Sequence, residues 1–195
     1  MKALQIIRDE HRALAAVLHG LSYLVRETRE RAAPPNFPVL SAMIYYIDAF
    51  PERFHHPKED RYLFPVLRKR APGGAAVLDL LASEHRSGAA RIRTLEQALA
   101  RYREGGAREF PAFAAAVDDY VTFERDHMRR EETRVLPLAE ACFTPEDWQA
   151  VDDAFTGHTD PLLGTAPGLQ WQQLFSRIVN LAPPPIGVGP ATERA

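Results

Sequence analysis

The sequence predicts an all-α protein, an up-down-up-down four-helix bundle with a C-terminal helical extension. Three observations carry that prediction. Apolar residues recur in alternating steps of three and four through four long stretches, as on helices that bury one face. Short loops rich in Pro and Gly separate the stretches, and short connections make neighbouring helices antiparallel. The second half of the bundle also repeats the residue pattern of the first.

Composition sets the outer bounds. A chain of 195 residues, 46% hydrophobic and 26% charged, can bury one sizeable core. A formal net charge of −2 supplies no basic field, so a nucleic-acid partner is not expected. No run approaches the eighteen or so apolar residues of a membrane span, and none is expected. The amphipathic, soon charged N-terminus is wrong for a signal peptide. Cys142 is the single cysteine, which rules out an internal disulfide and cysteine-based metal clusters; a reducing, cytoplasmic setting is the expectation.

The first helix is predicted over residues 3–31. Leu4, Ile7, His11, Leu14, Leu18, Leu21 and Val25 form its buried stripe, with His11 where an apolar residue belongs. Taken alone, such a histidine reads as a core residue that has found a hydrogen bond. Pro34 and Pro35 close the helix. A second helical pattern runs over residues 37–70, through Leu40, Ile44 and Ile47 to His55, Glu59 and Val66. Pro51, Pro57 and Pro65 interrupt it, and an interior proline removes a backbone bond at roughly 3 kcal/mol, so a bent or broken segment is expected there. After the turn Pro72-Gly73-Gly74, the third helix spans about residues 75–102, with His85 again inside the apolar stripe. Gly105-Gly106 makes the next turn, and the fourth helix covers about residues 109–140, carrying Glu124, His127 and Glu131.

The bundle is expected over residues 1–142. Residues 143–182 read as a helical extension that either clamps the outside of the bundle or makes a homodimer contact. Thr144 is its expected N-cap, with Pro145 at the first helical position, followed by Trp148, Val151 and Phe155. A last helix is expected over 169–181, and residues 183–195 read as a Pro/Gly-rich tail.

The chemistry lies in the repeat. His55-x-x-x-Glu59 and His127-x-x-x-Glu131 share their flanks: a second acid beside the Glu, two apolar residues, and a Pro ten after the His. On an α-helix, positions i and i+4 share a face, so each copy aims an imidazole and a carboxylate at one point. One His-x-x-x-Glu is a weak signal, more often a solvated helix face, but two copies with matched flanks are specific. His85 lies 74 residues after His11, and His127 lies 72 after His55, so each half is a helix with one His followed by a helix with His-x-x-x-Glu. Six groups then converge: His11, His55, Glu59, His85, His127 and Glu131. Imidazole and carboxylate without thiolate suit iron, manganese or zinc, and six groups fit two ions better than one. Ferritin-like bundles use the reverse order, Glu-x-x-His.

Over residues 3–140 these motifs resemble the hemerythrin-like, His-His-Glu cation-binding domain family, in its bacterial form. The resemblance implies a non-heme di-iron centre bridged by Glu59 and Glu131, with His11 and His55 on one iron and His85 and His127 on the other. Manganese or zinc are substitutes. Oxygen-carrying hemerythrins have a second His four residues after the one in the third helix, where this chain has Ala89, and a bridging Asp where it has Glu131. One terminal ligand is therefore missing, to be replaced by water, by another carboxylate, or not at all. Glu52 and Glu124, each three residues before a motif His, are candidates; the favoured reading makes them hydrogen-bond partners that orient the imidazoles. His56 should point about 100° away from His55 and lie outside the ligand set. His19 and His158 read as surface or structural residues.

The expected function is therefore a metal-binding protein that senses or reacts with O2, NO or peroxide at the iron pair. Iron handling or storage, and a di-iron oxidase or peroxidase, are the alternatives. No separate catalytic constellation accompanies the metal ligands, which favours a binding or sensing role over a dedicated enzyme.

Overall fold

The computed structural model describes residues 1–157 together with Ala182 and Ile186. The expected helix over 169–181, His158 and the rest of the 183–195 tail lie outside the described residues. Among the described residues there is no strand, and the architecture is an all-α bundle.

The first bundle helix is α1 (Lys2–Arg31). It ends at Ala32, which takes a left-handed φ of 51° and returns its N–H to the Glu27 carbonyl just before the two prolines. The second is a composite of α2 (Phe37–Ile47), α3 (His56–Lys58) and α4 (Phe64–Arg70), started by the Asn36 side chain accepting from the Val39 N–H. The expected break at its prolines is replaced by something more specific. The chain stays helical throughout, but residues Asp48–His55 and Glu59–Leu63 widen into π-helical turns. A proline has no N–H to return four residues back, and the wider turn, in which the N–H reaches five back, absorbs the lost bond. The Phe64 N–H reaches the Glu59 carbonyl in this way, directly before Pro65.

The third helix is α5 (Ala75–Gly105), and the fourth is α6 (Phe110–Arg130) continued by α7 (Leu136–Cys142). Between them Glu131–Val135 forms another π turn, with the Leu136 N–H on the Glu131 carbonyl just before Pro137. The proline ten residues after each motif histidine thus produces the same local geometry twice. At the α5–α6 turn Gly106 has a φ of 69°, which glycine adopts at little cost.

The short helix α8 (Pro145–Thr156) begins with a reciprocal capping box between Thr144 and Asp147, as its sequence predicts. Asp147 also accepts two bonds from Arg70, at 2.8 and 3.2 Å, which ties α8 to the end of α4. Further along α8, Asp152 accepts from the Ala3 N–H at 2.7 Å, which ties α8 to the start of α1.

Two apolar cores fill the bundle. One holds Leu14, Leu18, Leu21, Met43, Ile47, Ile92, Phe113 and Val117, with Ala182 among its buried members. The other holds Leu4, Ile7, Leu63, Leu67, Leu78, Leu81 and Val135, closed by Trp148, Val151 and Phe155 of α8. His11 falls between Ile7 of one core and Leu14 of the other, and His85 falls between Leu81 and Ile92. A buried polar layer therefore crosses the bundle between two hydrophobic plugs. That layer is what the fold positions.

Candidate metal centre

All six sequence-predicted groups meet in the polar layer. His11, His55, Glu59 and Glu131 form one cluster of donor atoms, and Glu59, His85, His127 and Glu131 form another. The two share both carboxylates. Glu59 turns Oε1 to His55 Nε2 at 3.5 Å and Oε2 to His85 Nε2 at 3.6 Å. Glu131 turns Oε2 to His11 Nε2 at 3.2 Å and Oε1 to His127 Nε2 at 3.2 Å. Within each cluster the imidazoles approach through Nε2, His11 to His55 at 3.2 Å and His85 to His127 at 3.1 Å.

These spacings fit a cation between them. Donors bonded to one ion at about 2.1 Å stand roughly 3.0–3.4 Å apart for bond angles between 90° and tetrahedral. The carboxylates fit as well: Glu59 and Glu131 are fully buried, and none of their four oxygens has a hydrogen-bond partner. A buried carboxylate without a hydrogen bond is costly unless a positive charge compensates it.

The protonation states reflect the crowding. Burial and the neighbouring Glu131 charge push the Glu59 carboxyl well above its ordinary range. Burial also works to raise Glu131, but the charge of His127 and the imidazoles of His11, His127 and His85 facing its oxygens outweigh it and hold Glu131 well below its ordinary range. Burial works against the charged forms of His11 and His85, yet the carboxylates around them raise His11 to about 10 and His85 to about 9. His127 is raised for the same reason, chiefly by Glu131. His55 goes the other way, lowered by burial and by the charge of His11.

Every one of these imidazoles is held from behind by an acid on its Nδ1. Glu10 holds His55 at 2.6 Å and Glu84 holds His127 at 2.9 Å. Asp60 holds His85 at 3.0 Å and Glu132 holds His11 at 3.1 Å. Such contacts fix the ring's tautomer and present Nε2 to the centre. The pattern follows the repeat. The acid preceding the lone His on each odd helix serves the motif His of the next helix. The acid following each motif Glu serves a lone His.

For the four predicted imidazoles, the orienting role expected of Glu52 and Glu124 is thus filled by other residues. The signal was in the sequence, as Glu10-His11 against Glu84-His85 and as the paired acids Glu59-Asp60 and Glu131-Glu132, but pairing across helices cannot be read from spacing. Glu52 instead faces His56, Nδ1 to Oε2 at 3.7 Å, and takes the Tyr120 hydroxyl at 3.5 Å. Glu124 is 1% exposed, its carboxyl pushed up by burial.

His56 departs from expectation most. It is buried rather than turned away, and it groups with His85 and His127. It stands at the first position of α3, where the π-helical winding of Asp48–His55 gives way to α-helical winding. His19 is exposed, as expected. The α8 extension also reaches the site: the Phe155 ring stands edge-on to His55 at 6.1 Å, with the Lys58 ammonium 4.6 Å from its centre.

A helical bundle whose core holds two adjoining clusters of imidazole and carboxylate donors defines a cation-binding bundle protein. The chain belongs to the hemerythrin family, because the family model described as the hemerythrin HHE cation binding domain matches residues 2–139. No curated protein and no solved structure matches it. No helix among the described residues is long and apolar enough to cross a membrane.

Proposed function

We propose that this protein holds two iron ions, one by His11 and His55 and the other by His85 and His127, with Glu59 and Glu131 between them. The observation that carries the reading is the sharing of both carboxylates, one oxygen of each turned to either cluster. Iron held there by the imidazoles and the two carboxylates would supply redox chemistry toward O2, NO or peroxide. The reading is therefore a sensor of such small molecules, or a protein that reacts with them.

The chain's own residues prepare that chemistry in three ways. Four acids on the Nδ1 atoms raise imidazole basicity and fix the ring planes. The apolar cores above and below keep bulk water from the carboxylates. Protons held on His11, His85 and His127 keep the buried charge compensated before metal enters.

Metal content and an optical spectrum of protein purified without oxygen test the reading. Two irons per chain with a spectrum that changes on exposure to O2, NO or peroxide are expected. One ion per chain would end the paired-ion reading, and iron that exchanges freely without a spectral response would favour iron handling.

A further inference from the structure

We infer that His56 is a third imidazole ligand of the second ion, beside His85 and His127. The inference rests on the paired-ion reading above and deepens it. A ring nitrogen of each of these three residues lies within 4.8 Å of the others. The ring of His56 meets that of His127 at 5.1 Å and 64°. That is the same relation as between His11 and His55, at 5.0 Å and 57°, and between His85 and His127, at 4.8 Å and 57°.

The Nδ1 of His56 also faces a carboxylate, that of Glu52, at 3.7 Å, beyond the hydrogen-bond reach of the 2.6–3.1 Å partners that hold the other four. That leaves Nε2 for an ion. Glu52 is in turn anchored by the Tyr120 hydroxyl. The chain makes room for this arrangement at Gly88, one turn after His85. A Cβ there would lie 2.1 Å from Glu52 Oε2, so only glycine lets the carboxylate sit against α5. A buried carboxylate, a tyrosine and a glycine thus converge on placing one imidazole, at the position where the π-helical winding ends.

The consequence is an unequal pair. The first ion has His11 and His55, and the second has His56, His85 and His127, so open coordination belongs to the first. The terminal ligand that Ala89 does not supply comes from another helix. One feature must change on loading. His56 and His85 are stacked, 4.4 Å apart and 13° from parallel. Each lone pair lies in its own ring plane, so two rings on one ion must tilt apart.

The test is anaerobic titration with ferrous iron of wild type, His56→Ala and Gly88→Ala, with X-ray absorption on the loaded proteins to count imidazoles. Circular dichroism of each metal-free variant checks folding. The expected result is two ions in wild type and a second ion weakened roughly tenfold or more in His56→Ala, with one imidazole fewer per protein. Added free imidazole should restore the second ion. Gly88→Ala removes no ligand, and it should weaken the same ion by displacing Glu52. If His56→Ala keeps both affinities and the imidazole count, His56 is not a ligand, while the paired-ion reading stands. If wild type itself takes fewer than two ions, the paired-ion reading fails and this inference falls with it.

Discussion

Metal loading should expel protons, and the number follows from the site. At pH 7 the metal-free centre holds protons on His11, His85 and His127, all raised above their ordinary values. An ion binds neutral imidazole, so all three must leave. Proton release makes binding stronger as pH rises. Each proton contributes about tenfold, or about 1.4 kcal/mol, per pH unit, so the three together amount to about 4 kcal/mol per unit shared between two ions. The affinity of each ion should therefore climb about thirtyfold from pH 6.5 to 7.5. Anaerobic ferrous titration in weak buffer with an indicator dye would count the protons directly. Less than one proton per ion, or an affinity change under about tenfold, would refute the protonation scheme. The same groups govern the metal-free protein. Their folded values lie above their unfolded ones, so their stabilisation is fully present below the unfolded values and is lost as pH rises through the folded ones. Apo protein should thus lose stability as pH climbs from about 7 towards 10, and loaded protein should lose far less.

Other predictions concern the supports of the site. Glu10→Gln removes the 2.6 Å partner of His55 and should weaken the first ion about 10- to 100-fold, read by the same titration; an unchanged first ion would mean His55 needs no anchor. Pro137→Ala lets the chain return to α-helical winding over 131–135, which should move Glu132 off His11 and weaken metal binding without lowering the melting temperature of the apo protein. A variant with lower apo stability and unchanged affinity would show that the π turn serves folding alone. Phe155→Ala empties a fully buried position and should cost about 3–5 kcal/mol in urea unfolding. It also removes the ring against His55, so a change in first-ion affinity is expected. Unaltered binding would return α8 to a purely outer role.

The sequence by itself determined the helices, their order and the six groups that meet in the core. Periodicity records which face of a helix is buried, and a repeated His-x-x-x-Glu records which groups interrupt that face. His11 and His85 could be found because a titratable residue in an apolar stripe stands out against its neighbours. What only the tertiary structure decided was how the elements serve one another. Glu10 and Glu84 hold imidazoles on other helices, and Asp60 and Glu132 do the same from the motif helices, pairings set by packing rather than by separation along the chain. His56 was expected to turn away from His55, and its burial beside His85 and His127 depends on the junction of the π-helical Asp48–His55 with α3, which spacing along the chain does not show. Gly88 could be read as a small residue on a buried stripe, but its use appears only when Glu52 arrives from a different helix to occupy the space of the missing Cβ. Local pattern fixes the direction of a side chain relative to its own helix, and the identity of whatever it meets there depends on the packing of the other three.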